Sequence, residues 1–150
     1  MLFGVIFVKR SFVIPSTSFT QVDATHWTLD VSALTGGAFG EVRDVCLFVP
    51  GGGLLPPEAG LALHVQSGGS GWEYRGAVSN ATPSEVFPTA WPRPEGGDGY
   101  WPTAQVGVSV EPLVRRRAKR ALAFPFACAQ HAMHCAHAPR QSSPREMRRR

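Results

Sequence analysis

The stretch LALHVQSGGSGWEYRGAV, Leu61 to Val78, decides the fold class. Leu61, Leu63 and Val65 alternate with Ala62, His64 and Gln66, the period-two pattern of a half-buried strand. Ser67-Gly68-Gly69-Ser70-Gly71 follows, and residues of this kind accept positive φ and reverse the chain at little cost. Beyond the turn, Trp72 and Tyr74 fall on one face of a second strand, with Glu73 and Arg75 on the other. A lone hairpin is marginal in water, so its apolar face requires further strands to cover it.

The flanking sequence supplies them. Leu2 to Val8 is an apolar run of strand length ending at Lys9-Arg10, and the chain stays extended from Ser11 to Pro15. After a turn at Asp23-Ala24-Thr25, Trp27, Leu29 and Val31 alternate as a strand. Leu34 to Gly40 reads as loop. Val42 to Pro50 contains Val45-Cys46-Leu47-Phe48-Val49 without a polar interruption, the pattern of a strand buried on both faces, which makes Cys46 a buried reduced thiol. Glu85-Val86-Phe87 is a short edge strand stopped by Pro88. Four prolines and three glycines between Pro88 and Pro102 make a long loop. Ala104 to Val110 alternates again through Val106, Val108 and Val110 and closes the set.

Short strands spaced by glycine and proline turns, with no amphipathic helix before Leu113, predict an all-β fold, an antiparallel β-sandwich of jelly-roll-like type. Its core is expected to include Phe7, Trp27, Leu29, Leu47, Val49, Leu63, Val65 and Val108.

Charge divides the chain. Residues 1–113 carry five Lys/Arg against ten Asp/Glu, a net of −5, whereas residues 114–150 carry ten against Glu146 alone, a net of +9. The expected organisation is therefore a β-sandwich domain over 1–113 and a basic Arg/Ala/His-rich tail over 114–150. Like charges repel along that tail, and it has few large apolar groups to offset ordering entropy. It is expected to be mostly disordered, adding no packed structure beyond a short helix over Arg115–Ala123. Three cysteines, Cys46, Cys128 and Cys135, make no disulfide framework, which fits a reducing compartment. The apolar run at the start precedes its charges, unlike a secretory signal, and no run has the length of a membrane span. A soluble intracellular chain is expected.

The candidate chemistry is sparse. His26 and His64 lie in strands and read as structural or surface groups. Gly51-Gly52-Gly53 lacks the following Lys-Ser/Thr and the helix of a phosphate loop. Carboxylates are scattered singly, so no acid–base pair is legible and no enzyme is expected. Cys128, His131, His134, Cys135 and His137 are metal-ligand types without a second pair across a loop, so neither a metal nor any cofactor is expected. The basic block Arg115–Arg120 has no interleaved aromatics, so nucleic-acid binding is not expected. Phe87, Trp91, Tyr100 and Trp101 gather around a proline-rich loop and are the candidate partner-binding residues. Packing back onto the sandwich is the competing reading, above all for Phe87 and Trp91, and Tyr100 and Trp101, after Gly96-Gly97-Asp98-Gly99, are the better placed for exposure.

Over its first 113 residues the chain resembles the amino-terminal domain of the Hikeshi family, closest to its plant-type members. The resemblance rests on the Phe3-Gly4 opening, FTQVDATHWTLD at 19–30, VCLFVP at 45–50 and LPPEAGLALHVQS at 55–67. GAVSNATPSEVF at 76–87 and QVGVSVEPL at 105–113 complete it. It implies a β-sandwich that forms a homodimer, binds nucleoporin Phe-Gly repeats through apolar surface and recognises the ATP form of heat-shock chaperones of the seventy-kilodalton class. The implied role is non-enzymatic nuclear import of the chaperone during heat stress, shuttling between cytoplasm and nucleus, with no membrane partner. The family continues into a helical carboxy-terminal domain, to which residues 114–150 do not align. The alternative expectation is thus a β-sandwich interaction module without carrier activity.

Overall fold

The computed structural model describes residues 1–97 and 99–113. The expectations for 114–150, including the basic block and the Cys/His cluster, fall outside the described residues.

Strand β1 (Gly4–Phe7) turns back into the short β2 (Ile14–Pro15). Lys9, at φ 62, allows that turn, and the Arg10 and Ser11 amides both donate to the Phe7 carbonyl. Pro15 has no amide hydrogen to continue the ladder, and Ser16–Ser18 makes one 3-10 turn before β3 (Thr20–Gln21). β4 (His26–Asp30) follows a tight turn in which the Thr25 amide donates to the Asp23 carboxylate at 2.7 Å. Asp30 then caps a single helical turn, α1 (Val31–Thr35), by accepting from the Ala33 amide at 3.0 Å. That cap corrects two expectations. Val31 begins a helix instead of ending the strand, and part of the supposed loop is helical.

A 3-10 turn (Phe39–Glu41) and the strands β5 (Asp44–Phe48), β6 (Ala59–Ser67), β7 (Glu73–Ser79), β8 (Ser84–Pro88) and β9 (Ala104–Pro112) complete the described elements. The strands form two antiparallel sheets, one of order β2-β1-β5-β8 and one of order β3-β4-β9-β6-β7. The fold is an all-β sandwich, as the hairpin and its flanking strands require. Every expected core residue is buried, from Phe7 and Leu47 in the smaller sheet to Leu63 and Val108 in the larger. Phe3 meets Phe19 and Trp27 edge-on, at centroid distances of 5.1 and 5.6 Å, and locks the two sheets at one end. Each large side chain removed from water contributes about 1.5–3 kcal/mol.

The central hairpin carries a β-bulge. Leu63 pairs with Gly76 and His64 with Tyr74, so Arg75 is the extra residue. The bulge turns Gly76 inward, where Phe87 lies against it, and leaves Tyr74 outside. The guanidinium of Arg75 then donates to the carbonyls of Thr89 (2.7 Å) and Ala90 (2.8 Å), tying β7 to the segment after β8 in the facing sheet.

Candidate functional site

Two of the strands depart from their expected burial, in opposite directions. β6 was expected to be half-buried and is closed on both faces, with Ala62 and His64 as inaccessible as Leu61 and Leu63. The cover comes from the hairpin itself. Trp72 lies over Gly107, where any side chain would intrude on the indole, and Tyr74 meets the His64 ring edge-on at 5.5 Å. Beneath them, the Ser109 hydroxyl donates to the Glu111 carboxylate at 2.9 Å, and His64 Nε2 lies 3.3 Å from the same oxygen. Burial outweighs that carboxylate and pushes His64 down to about 4. Ser109 and Glu111 approach the same ring nitrogen, and Ser109 is fully buried. This is a packed polar cluster, with no hydroxyl–imidazole–carboxylate relay in it.

β5 shows the reverse. Val45 and Leu47 point into the core at zero exposure, but Cys46 and Phe48 face outward and are only half-buried. The expectation of a strand covered on both faces is corrected here: no second layer lies on this side among the described residues. On the neighbouring strands Ile6 pairs with Cys46, and Val86, 53% exposed, pairs with Cys46 from β8. The tip of the Phe48 ring lies over Gly4, which no other residue could replace without displacing the ring.

The result is an open groove of about 480 Å³ lined by Ile6, Cys46, Phe48, Pro50, Pro83 and Ser84. Prolines form part of its rim, so the rim is rigid, and aliphatic and aromatic carbon dominates its surface. Partial burial also pushes the Cys46 thiol up, away from the reactive thiolate. Such a surface can take up a small apolar group such as a phenyl ring, with little polar chemistry to fix its orientation.

The four aromatic candidates of the 86–101 region do not converge. Phe87 and Trp91 are core residues at 6% and 5% exposure, with the Trp91 indole donating to the Val42 carbonyl at 2.9 Å. Their rings present no face to a partner, which corrects their place among the contact residues. Trp101 lies over Gly68 in the hairpin turn, half-buried, and its Nε1 has no hydrogen-bond partner among the described residues. Tyr100 is the exposed one, at 42%. It sits over Gly40, meets Phe39 edge-on at 5.6 Å and carries the Arg93 guanidinium 4.5 Å above its ring. Asp98, in the same loop, falls outside the described residues. His26 is held by Asp23 at 2.8 Å, in keeping with a structural role.

The groove residues escaped the sequence reading because an uninterrupted apolar strand looks the same whether its second face is covered or bare. Arithmetic of layers is the signal that could have found them: β1, β5 and β8 all carry apolar groups outward, and one further sheet can cover only one side. No group of metal-ligand side chains occurs among the described residues, and no helix among them is long and apolar enough to cross a membrane. No protein-family model matches the chain, and the curated proteins contain no match to it.

Proposed function

We propose that this chain is a non-enzymatic carrier of the Hikeshi type, which takes a heat-shock chaperone of the seventy-kilodalton class through the nuclear pore by binding nucleoporin Phe-Gly repeats. One observation carries the reading. The outer face of the four-stranded sheet holds an open apolar groove with room for a phenyl ring, while the outer face of β6 in the other sheet is covered by its own hairpin. A Phe-Gly repeat offers one phenyl ring on a polar chain, so each contact is weak and several must act together. A shallow apolar groove on each protomer of a homodimer suits that requirement. The expected partner of the remaining surface is the ATP-loaded chaperone.

Pull-down on immobilised Phe-Gly repeats and on ATP-loaded chaperone tests the proposal. The chain is expected to be retained on both. Phe48→Ala should release it from the repeats and leave it on the chaperone, because only the groove changes. Retention on repeats alone would identify an interaction module without carrier activity. Retention on neither would reject the carrier reading.

A further inference from the structure

We propose that the chain carries its own occupant for this groove, the segment Leu122-Ala123-Phe124-Pro125-Phe126, which competes in cis with external phenyl groups. The inference deepens the reading of the groove as a phenyl site and concerns its regulation. Phe124 and Phe126 are the two aromatic residues of 114–150, and they stand one proline apart. Their chemistry is that of the ligand the groove fits, two phenyl rings on a short spacer.

Geometry allows the approach. The described chain ends at Leu113, whose amide donates to the Glu58 carbonyl and whose side chain lies over Gly60. Gly60 pairs with Ser79, Ser79 bonds to Thr82 across the turn, and the adjoining Pro83 is in the groove rim. Leu113 and the groove therefore share one end of the sandwich. Strand spacings of about 4.8 Å and a sheet separation of about 10 Å put them roughly 20 Å apart. Residues 114–123 supply up to about 33 Å of extended chain, enough to reach with slack.

Charge favours the same path. Five cations, Arg115, Arg116, Arg117, Lys119 and Arg120, lead into the phenyl pair. Glu58 and Glu85 are exposed and Glu111 partly so along the way from β9 to β8. Tethering makes the segment's effective concentration millimolar or higher, so even a weak phenyl contact holds in cis. Repeats in high local density, as in a pore, are what would displace it.

Cys46, inside the groove, is the reporter. In the full chain with Cys128→Ser and Cys135→Ser it is the sole thiol, and its alkylation by a maleimide reads whether the groove is covered. Adding Phe124→Ala and Phe126→Ala should speed alkylation roughly tenfold, the population change for about 1.4 kcal/mol of docking. A synthetic peptide of residues 121–127 should restore slow alkylation to that variant. The rates should not depend on protein concentration. Equal rates with and without the two phenylalanines, or failure of the peptide to protect, would overturn the proposal, and a concentration-dependent rate would replace cis occupancy with pairing between copies. A Phe-Gly peptide added to the alanine variant separates the two ideas. If it gives no protection while the 121–127 peptide does, the repeat-binding reading fails and the cis occupant stands.

Discussion

The outer faces of the two sheets of this sandwich have opposite fates. On the five-stranded sheet Trp72 and Tyr74 fold back over β6, so a strand that alternates like a half-exposed one is sealed on both sides. On the four-stranded sheet β5 is apolar at every core position, yet Cys46 and Phe48 remain at the surface beside Val86. Folding alone would favour covering the second pair, since bare apolar surface forfeits hydrophobic stabilisation and invites association. Among the described residues this face is apolar and open while its counterpart is closed, and that asymmetry is the ground on which an occupant is proposed for it.

The comparison predicts unequal costs of truncation. Leu63→Ala, at the inner face of β6, should lose about 2–5 kcal/mol in chemical denaturation, because it leaves a cavity between the sheets. Trp72→Ala removes the cover from the outer face of the same strand and should cost about 1.5–3 kcal/mol. It should also return water to His64 and raise its pKa from about 4 toward the ordinary histidine value, visible in an imidazole NMR titration. An unchanged His64 titration in that variant would show that something other than Trp72 keeps the ring dry.

The covered face should also respond to pH on the acid side of neutrality. His64 has a folded-state pKa lowered to about 4 from 6.5. Between those values the unfolded chain binds a proton that the folded one refuses, so stability rises with pH there. Stability should therefore be level above about pH 6.5 and fall progressively from there toward pH 4. His64→Asn should flatten that slope. Asp23, held at about 2 by the Thr25 amide and His26, acts in a separate window, losing its contribution as pH falls from 3.8 toward 2. A slope that survives His64→Asn would move the effect to another group.

How much of this was legible follows from the same contrast. Alternation in Trp27-Thr28-Leu29 and in Val106 to Val110 directly names inner-face residues, because a period of two has only one buried phase in a sandwich. The hairpin turn at 67–71 was readable for a similar local reason, its glycines. What covers an outer face is set by tertiary placement and leaves no local mark. The bulge at Arg75 turns Tyr74 onto His64, and the glycine that receives Trp72 is Gly107, on a strand 35 positions away. For Phe87 and Trp91 the choice between packing and display was open in the sequence for the same reason, and the structure has them packed. A proline-rich loop signals irregular backbone, but Trp91 finds the Val42 carbonyl and a place in the core, and neither is visible in the loop's composition.

The smallest stability effect belongs to Tyr100, and it decides between the two remaining aromatic sites. Tyr100 is exposed, but its faces are in use: Gly40 lies beneath the ring, Arg93 lies above it and donates to its hydroxyl at 2.8 Å, and Phe39 meets its edge. Exposed contacts of these kinds are worth about 0.5–1 kcal/mol, so Tyr100→Ala should shift the denaturation midpoint only slightly. Trp101→Ala should shift it more, since that indole is half-buried against Gly68. If Phe-Gly repeats use the groove, Tyr100→Ala should bind them as well as the parent chain in a fluorescence-anisotropy titration, and Phe48→Ala should not. The opposite ranking would place the repeat site at the 86–101 loop. In that case a phenyl ring would have to displace Arg93 from the face of Tyr100, and Arg93→Ala should then tighten repeat binding. A groove site predicts no change on Arg93→Ala, because that guanidinium and the groove lie at opposite ends of the sandwich.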